Sequence, residues 1–220
     1  MLTFLLLSEF LSIKTNIVKH FVLFYTGEAM KFWPQKKWKQ ILLIAILAFI
    51  IVIASVLGYI LIKINNDYIS GIEVLNADST KSALIIYHPG LSSFMKDITY
   101  RFADGLVENG WRVEITTASS QAPADLSGYS LVAFGSPVYA DQPSPTIKRH
   151  IERINDLIGI DTVLLVTSAG SEGGAETSMQ QTVEQHNGQV KLVLSLFTMA
   201  PNEGDPLDIA EQAGRNLLIE

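Results

Sequence analysis

Hydrophobic and polar positions follow two regimes along this 220-residue chain. From Gln40 to Ile62, "QILLIAILAFIIVIASVLGYILI" runs 23 residues without a charge, whereas beyond residue 80 short apolar runs alternate with amphipathic stretches. A helix rising about 1.5 Å per residue crosses a bilayer core of roughly 30 Å with such a run. Residues 40–63 are therefore predicted to form a transmembrane helix. A cleaved signal peptide would have an apolar region of about 7 to 15 residues and a small-x-small site, which "VLGYIL" lacks.

The second regime reads as strands and helices in turn. "SALIIY" (82–87) is a short apolar run suited to a strand buried on both faces. In "FMKDITYRFADGLVENG" (94–110), Met95, Ile98, Phe102, Leu106 and Val107 fall on one helical face and Gly110 closes the helix. "WRVEITTA" alternates, "YSLVAFG" is a second buried run, and "SPTIKRHIERINDLI" is amphipathic. "TVLLVTS", a helix over about 176–187, "VKLVLSLFT" and a last helix over 206–218 complete the series. Five strands with intervening helices predict an α/β fold, a three-layer, doubly wound, five-stranded parallel sheet. The expected organisation is an N-terminal segment 1–39, the membrane helix 40–63, a polar linker 64–80 and a domain 81–220.

Charge changes the picture in two ways. Residues 1–70 hold seven Lys/Arg against three Asp/Glu, and residues 71–220 hold nine against nineteen. The acidic domain has no basic stripe, so no nucleic-acid partner is expected. Lys31, Lys36, Lys37 and Lys39 precede the apolar helix, whereas Lys63 is soon followed by Asp67, Glu73 and Asp78. The positive-inside rule then puts the domain outside the cytoplasm, in a single-pass protein of the cell membrane. Trp33 and Trp38 suit the inner headgroup level. Residues 1–29 are apolar but interrupted by Glu9, Lys14, Lys19 and His20, which suits an interfacial helix, while Met30-Lys31 offers a second start with an ordinary cationic leader. Insertion of residues 2–24 would invert the topology. Cysteine is absent, which excludes disulfides, thiolate metal sites and cysteine nucleophiles.

In open parallel sheets, ligands bind beyond the carboxyl ends of the strands where strand order reverses. Three loops should meet there. "YHPGLSSF" (87–94) has Gly90 for a tight turn and Ser92 and Ser93 beside a helix amino end, a combination that suits a phosphate and equally suits a capped helix. "GSPVYADQPS" (135–144) has Gly135 and Ser136 for close backbone approach, Pro137 and Pro143 for stiffness, and Tyr139 as a surface for a planar ring. "TSAGSEGGAET" (167–177) offers small residues and backbone amides to a ligand's rim. His88 leaves the first strand where it can donate to a ligand or bond the loop backbone.

"GSPVYADQPSPTIKRHIE" and "SAGSEGGAET" resemble the second and third flavin loops of the flavodoxin-like superfamily, the latter through the Gly-Gly-x-Glu-Thr pattern of its quinone-reductase branch. The resemblance covers about residues 81–220. It implies FMN as cofactor and electron transfer to an unknown redox partner, as a carrier or a quinone or flavin reductase. It places the phosphate on Ser92 and Ser93. One face of the ring falls to Ser136, Pro137, Val138 and Tyr139, and its rim to Ser168, Ala169, Gly170, Gly173 and Gly174, with His88, Gly90 and Gly135 shaping the site. The first loop departs from the family's hydroxyl-rich pattern: Pro89 removes an amide donor and Leu91 brings an apolar side chain. The alternative is a degenerate flavodoxin fold that serves as a binding or scaffolding module without flavin.

Two enzyme readings fail on the residues. Gly90-x-Ser92 stands where a hydrolase nucleophile elbow would, but Phe94 replaces its second glycine. A phosphoacceptor receiver needs an acidic pair after the first strand, where this chain has His88-Pro89.

Overall fold

The computed structural model describes residues 36–170 and 173–217. The expectations for residues 1–35 lie outside the described residues. Two compact units divide the chain, residues 1–57 and 58–220.

Helix α1 (Lys37–Asn65) contains the apolar run and extends it by three residues at each end. Its 29 residues rise about 43 Å. It is long and apolar enough to cross a membrane, with mean hydropathy 3.2 over its most apolar window and no buried residue. Charge bounds the apolar run: Lys37 and Lys39 lie in the first turn of the helix and Lys63 in its last.

The elements that follow are β1 (Glu73–Leu75), β2 (Lys81–Tyr87), α2 (Phe94–Glu108), β3 (Trp111–Thr117), β4 (Leu131–Tyr139) and β5 (Gln142–Pro143). Next come α3 (Pro145–Arg153), β6 (Asp161–Ser168), α4 (Gly174–Gln185), β7 (Gln189–Phe197) and α5 (Pro206–Arg215). Strand order is β1-β3-β2-β4-β6-β7, with β5 off this path and paired to β4. The pairs β3–β2, β2–β4, β4–β6 and β6–β7 are parallel, which gives the five parallel strands expected. The chain leaves β2 toward β3 and then returns across it to β4, so the order reverses between β2 and β4.

Side-chain alternation builds two cores. Ala83, Ile85 and Tyr87 of β2 pack with Leu131, Ala133, Val163 and Leu165 beneath α2 and α5. Leu84 and Ile86 pack with Val132, Phe134, Leu164 and Val166 beneath α3 and α4. Burial on both faces explains why these strands read as unbroken apolar runs. Each fully buried Leu, Ile or Phe contributes about 1.5–3 kcal/mol. Helices α2 and α5 meet at backbone contact, because a Cβ on Gly105 would strike the Glu211 carbonyl and one on Gly214 the Phe102 carbonyl.

Two expectations are revised. The amphipathic stretch from Ser144 to Ile158 is helical only to Arg153, and Ile154 is extended. Beyond it, Asp156 Oδ1 accepts the Ile158 amide at 2.9 Å, a local bond that competes with helix. The segment 64–80, expected as a linker, is instead bound to the sheet edge. β1 pairs antiparallel with β3, Glu73 opposite Ile115. Before it, Ser70 and Thr117 exchange bonds: the Ser70 amide donates to Thr117 Oγ1 and the Thr117 amide to Ser70 Oγ, both at 3.0 Å. Thr117 Oγ1 also donates to the Tyr68 carbonyl, and Asn76 Nδ2 to the Trp111 carbonyl at 3.0 Å. Main-chain pairing and single polar side chains do this work, so hydrophobic periodicity carries no trace of it. The strap also covers the open edge of β3, which would otherwise offer unpaired amides to other chains.

Thr117→Val keeps the side-chain shape and removes the hydroxyl that ties the strap. Losing its bonds is expected to lower unfolding free energy by about 1–3 kcal/mol. Limited proteolysis should then cut residues 66–72 faster than in the parent chain, and equal cleavage rates would show that the strap does not depend on this residue.

Candidate functional site

Beyond the carboxyl ends of β2, β4 and β6 the three loops form a cleft of about 140 Å³. Seven expected residues line it: Gly90, Ser92, Pro137, Val138, Tyr139, Ser168 and Ala169. Pro89, Leu91, Phe94, Met95, Thr167 and Thr198 complete the wall. Thr198, the last residue of the run "VKLVLSLFT", was not expected at the site and lies just past the end of β7. Met95 was assigned to the core face of α2, where its side chain also reaches the cleft floor.

Gly90 adopts φ +76°, which favours glycine, and a Cβ there would lie 3.2 Å from Pro137 Cγ and 3.3 Å from the Tyr139 hydroxyl. The first two loops are thus packed on one another. The Tyr139 hydroxyl is buried without a hydrogen bond. Burial pushes its pKa up, against the opposing influence of the Leu91 amide.

At the amino end of the 15-residue α2, Ser93 occupies the cap position without a side-chain capping bond, and Ser92 and Ser93 are both exposed. Neither hydroxyl has a hydrogen-bond partner among the described residues. The helix end carries partial positive charge there.

Other expected residues serve the scaffold. Gly135 is buried, and a Cβ on it would meet Tyr87 Cβ at 2.7 Å and Met95 Cε at 2.8 Å. Ser136 is buried on the other face, where its Oγ donates to the Pro137 carbonyl at 3.0 Å and accepts the Ser144 amide at 2.8 Å. It pins the β4–β5 hairpin. Gly170 approaches Ala200, with 3.1 Å to its Cβ from an added Cβ. The Met199 amide donates to the Ala169 carbonyl at 2.8 Å, which fixes the start of the third loop.

Gly173 and Gly174 open α4, and their amides are already used. Gly174 N–H donates to Asp141 Oδ1 and Gly173 N–H to Glu176 Oε2, each at 2.9 Å. Asp141 stands in a hairpin turn whose residues Ala140 and Asp141 both have positive φ, 49° and 63°. That turn favours Asn-Gly, so the strain is held by the carboxylate at a helix amino end.

His88 does not line the cleft. It is fully buried, its Nδ1 accepts the Gly90 amide at 3.1 Å, and its ring lies toward Asn66 and Arg149. The proton therefore sits on Nε2, which has no hydrogen-bond partner. Desolvation, with help from Arg149, lowers its pKa to about 4 against opposing contributions from Asn66 and Asp67. On α3, His150 is 3% exposed and its pKa is also lowered to about 4, first by desolvation and then by Arg153.

No protein-family model matches the chain, and no curated protein matches it. Solved structures do. The flavodiiron core from Synechocystis aligns at 14% identity and TM-score 0.51, covering 64% of this chain and 36% of that one. Oxidised flavodoxin 2 from Bacillus cereus aligns at 16% identity and TM-score 0.51, covering 60% and 94%. Two-electron reduced flavodoxin from Megasphaera elsdenii gives 13%, 0.50, 61% and 99%. This chain spans little more than a third of the flavodiiron core it matches. The fold is flavodoxin-like: a doubly wound parallel sheet with its loop cleft at the β2/β4 reversal.

Two outcomes follow from these contacts. Both histidines have folded pKa values below their unfolded values, so the unfolded chain binds more protons between about pH 4 and 6.5. Their contribution is present above pH 6.5 and is lost as pH falls toward 4, by roughly 3 kcal/mol per group at the limit. Urea titrations at pH 7 and 4.5 should show this loss, and His88→Gln should reduce it; a flat profile would refute the assignment. Asp141→Ala should cost about 1–2 kcal/mol by releasing the α4 amino end, read as a lowered thermal midpoint, whereas Asp141→Asn should retain part of it.

Proposed function

We propose that the loop cleft binds FMN and that the domain transfers electrons, tethered to a membrane by α1. What supports the reading is the free donor set at the amino end of α2. Ser92 and Ser93 offer hydroxyls beside unpaired helix amides, chemistry suited to a phosphoryl group. The phosphoryl half of FMN fits these residues. The isoalloxazine would lie along Pro137, Val138, Tyr139, Ser168 and Ala169, at the mouth of a cleft smaller than the roughly 300–1,000 Å³ of sites that enclose a ligand. It would be held at the rim, with the Tyr139 hydroxyl ready to find a partner as the loops part. When bound, the flavin supplies the redox chemistry, and the chain's part is to hold, orient and partly desolvate it. By the flanking lysines the domain faces away from the cytoplasm, which points to a membrane-borne or external redox partner.

One observation favours a second reading. Pro89 has no amide and Gly90 gives its own to His88, so part of the phosphate cradle is satisfied from within. A flavin-free binding module would look like this.

The visible spectrum of the full-length chain, purified in detergent and passed through a desalting column after incubation with FMN, separates the two. Retained flavin bands are expected, and Ser92→Ala/Ser93→Ala should weaken FMN binding by about tenfold or more, in line with losing one or two hydrogen bonds to a charged group. A colourless protein that leaves free FMN fluorescence unchanged would establish the module instead.

A further inference from the structure

A larger cavity lies apart from the loop cleft, on the α3 side of the sheet where β3 ends. It measures about 400 Å³, within the range of small-molecule sites. Arg149, His150 and Arg153 form one wall and Ser119, Ser120 and the strap residue Asp67 another.

The donor chemistry of this cavity is cationic. Arg153 Nη2 donates to the carbonyls of Ser119 (3.0 Å) and Ala122 (2.7 Å), and Nη1 to that of Ser120 (2.7 Å). Those acceptors are neutral, and Arg153 makes no ion pair among the described residues, so its charge is positioned but not neutralised. Its Nη2 also lies 3.1 Å from His150 Nδ1. A guanidinium cannot accept, so Nδ1 carries no proton and shares the two hydrogens of Nη2 with the Ser119 and Ala122 carbonyls, and the imidazole proton sits on Nε2. That Nε2 is buried and unpartnered, although the Ser119 and Pro123 carbonyls face the ring.

One oxyanion already occupies part of this cavity. Asp67 Oδ2 accepts the Ser120 amide at 3.0 Å, and Oδ1 lies 3.6 Å from Arg149 Nη2. The latter distance is well beyond the roughly 2.7–2.9 Å of a direct charge-assisted bond. Arg149 is half exposed and spends its hydrogen bonds on the neutral Asn65 carbonyl and Thr146 Oγ1. Glu152, the other acid on the wall, is exposed and makes no ion pair among the described residues. The carboxylate is thus held by one good bond and one loose pair, beside two cations that a larger oxyanion would satisfy better.

We propose that this cavity is a second ligand site, for a phosphate or carboxylate group, at which the strap's Asp67 is a built-in competitor. Arg149 and the Ser120 amide receive the anion, Arg153 supplies fixed positive charge, and binding displaces Asp67. The site is independent of the flavin reading and stands whether or not FMN binds. It has a route to the loop cleft, because His88, whose ring feels Arg149, holds the Gly90 amide.

The test uses the full-length chain, labelled with 15N-histidine, in nanodiscs of neutral phosphatidylcholine. Inorganic phosphate is titrated at constant ionic strength, with chloride as control. The expected result is a saturable shift of the His150 ring signals with His186 unmoved. Arg149→Gln should weaken the apparent Kd about tenfold, the cost of one charged hydrogen bond. Asp67→Asn should tighten it several-fold, an opposite sign that a folding defect cannot produce. Repeating the titration in phosphatidylglycerol discs identifies the source of the group. A His150 signal shifted before any addition assigns the site to a lipid headgroup, and an unchanged titration assigns it to a soluble anion. A His150 response no larger than that of chloride, or an Asp67→Asn variant that binds no tighter, overturns the proposal.

Discussion

The structure depends on the double burial of β2. This strand is hydrogen-bonded on both edges, to β3 and β4, and its side chains alternate between two cores. From Ala83 to Tyr87 every side chain is buried in one core or the other, which accounts for "ALIIY". It also fixes where chemistry can occur. Lys81 and Ser82 precede the buried run, and polar groups return at its carboxyl end, where His88 and the loop after it emerge between the strands at which the order reverses.

At that end the chain spends much of its hydrogen-bonding capacity on itself. His88 takes the Gly90 amide, Asp141 takes Gly174, Glu176 takes Gly173, and Ser136 takes Ser144. These bonds stiffen the three loops before any ligand arrives, which lowers the entropy that binding must overcome. They also narrow the cleft. What is left for a ligand is the pair of serine hydroxyls before α2 and a rim of small side chains, with Leu91 of the wall 50% exposed and Met199, next to Thr198, 86% exposed.

The strap gives the second unit a structural role for residues that would otherwise be spacer. Tyr68 and Ser70 bond to Thr117, β1 closes the edge of β3, and Asp67 reaches the cavity at the end of that strand. Cavity, strap and the His88 loop are contiguous: Arg149 of the cavity wall and Asn66 of the strap lie beside the His88 ring, whose Nδ1 accepts the Gly90 amide.

Apolar runs, amphipathic faces and loop composition by themselves determined the long apolar helix, the five parallel strands with their helices, and the three loops of the cleft. Those features follow from burial, which leaves its period in the sequence. Tertiary structure alone decided the rest. His88 turns away from the cleft because its neighbours Asn66 and Arg149 come from segments 22 and 61 positions distant. Gly173 and Gly174 lose their amides to a turn 33 residues earlier and to Glu176. The strap is held by main-chain pairing and by single polar contacts over about 47 positions. Such bonds depend on which segments meet, and no local pattern of residues records that.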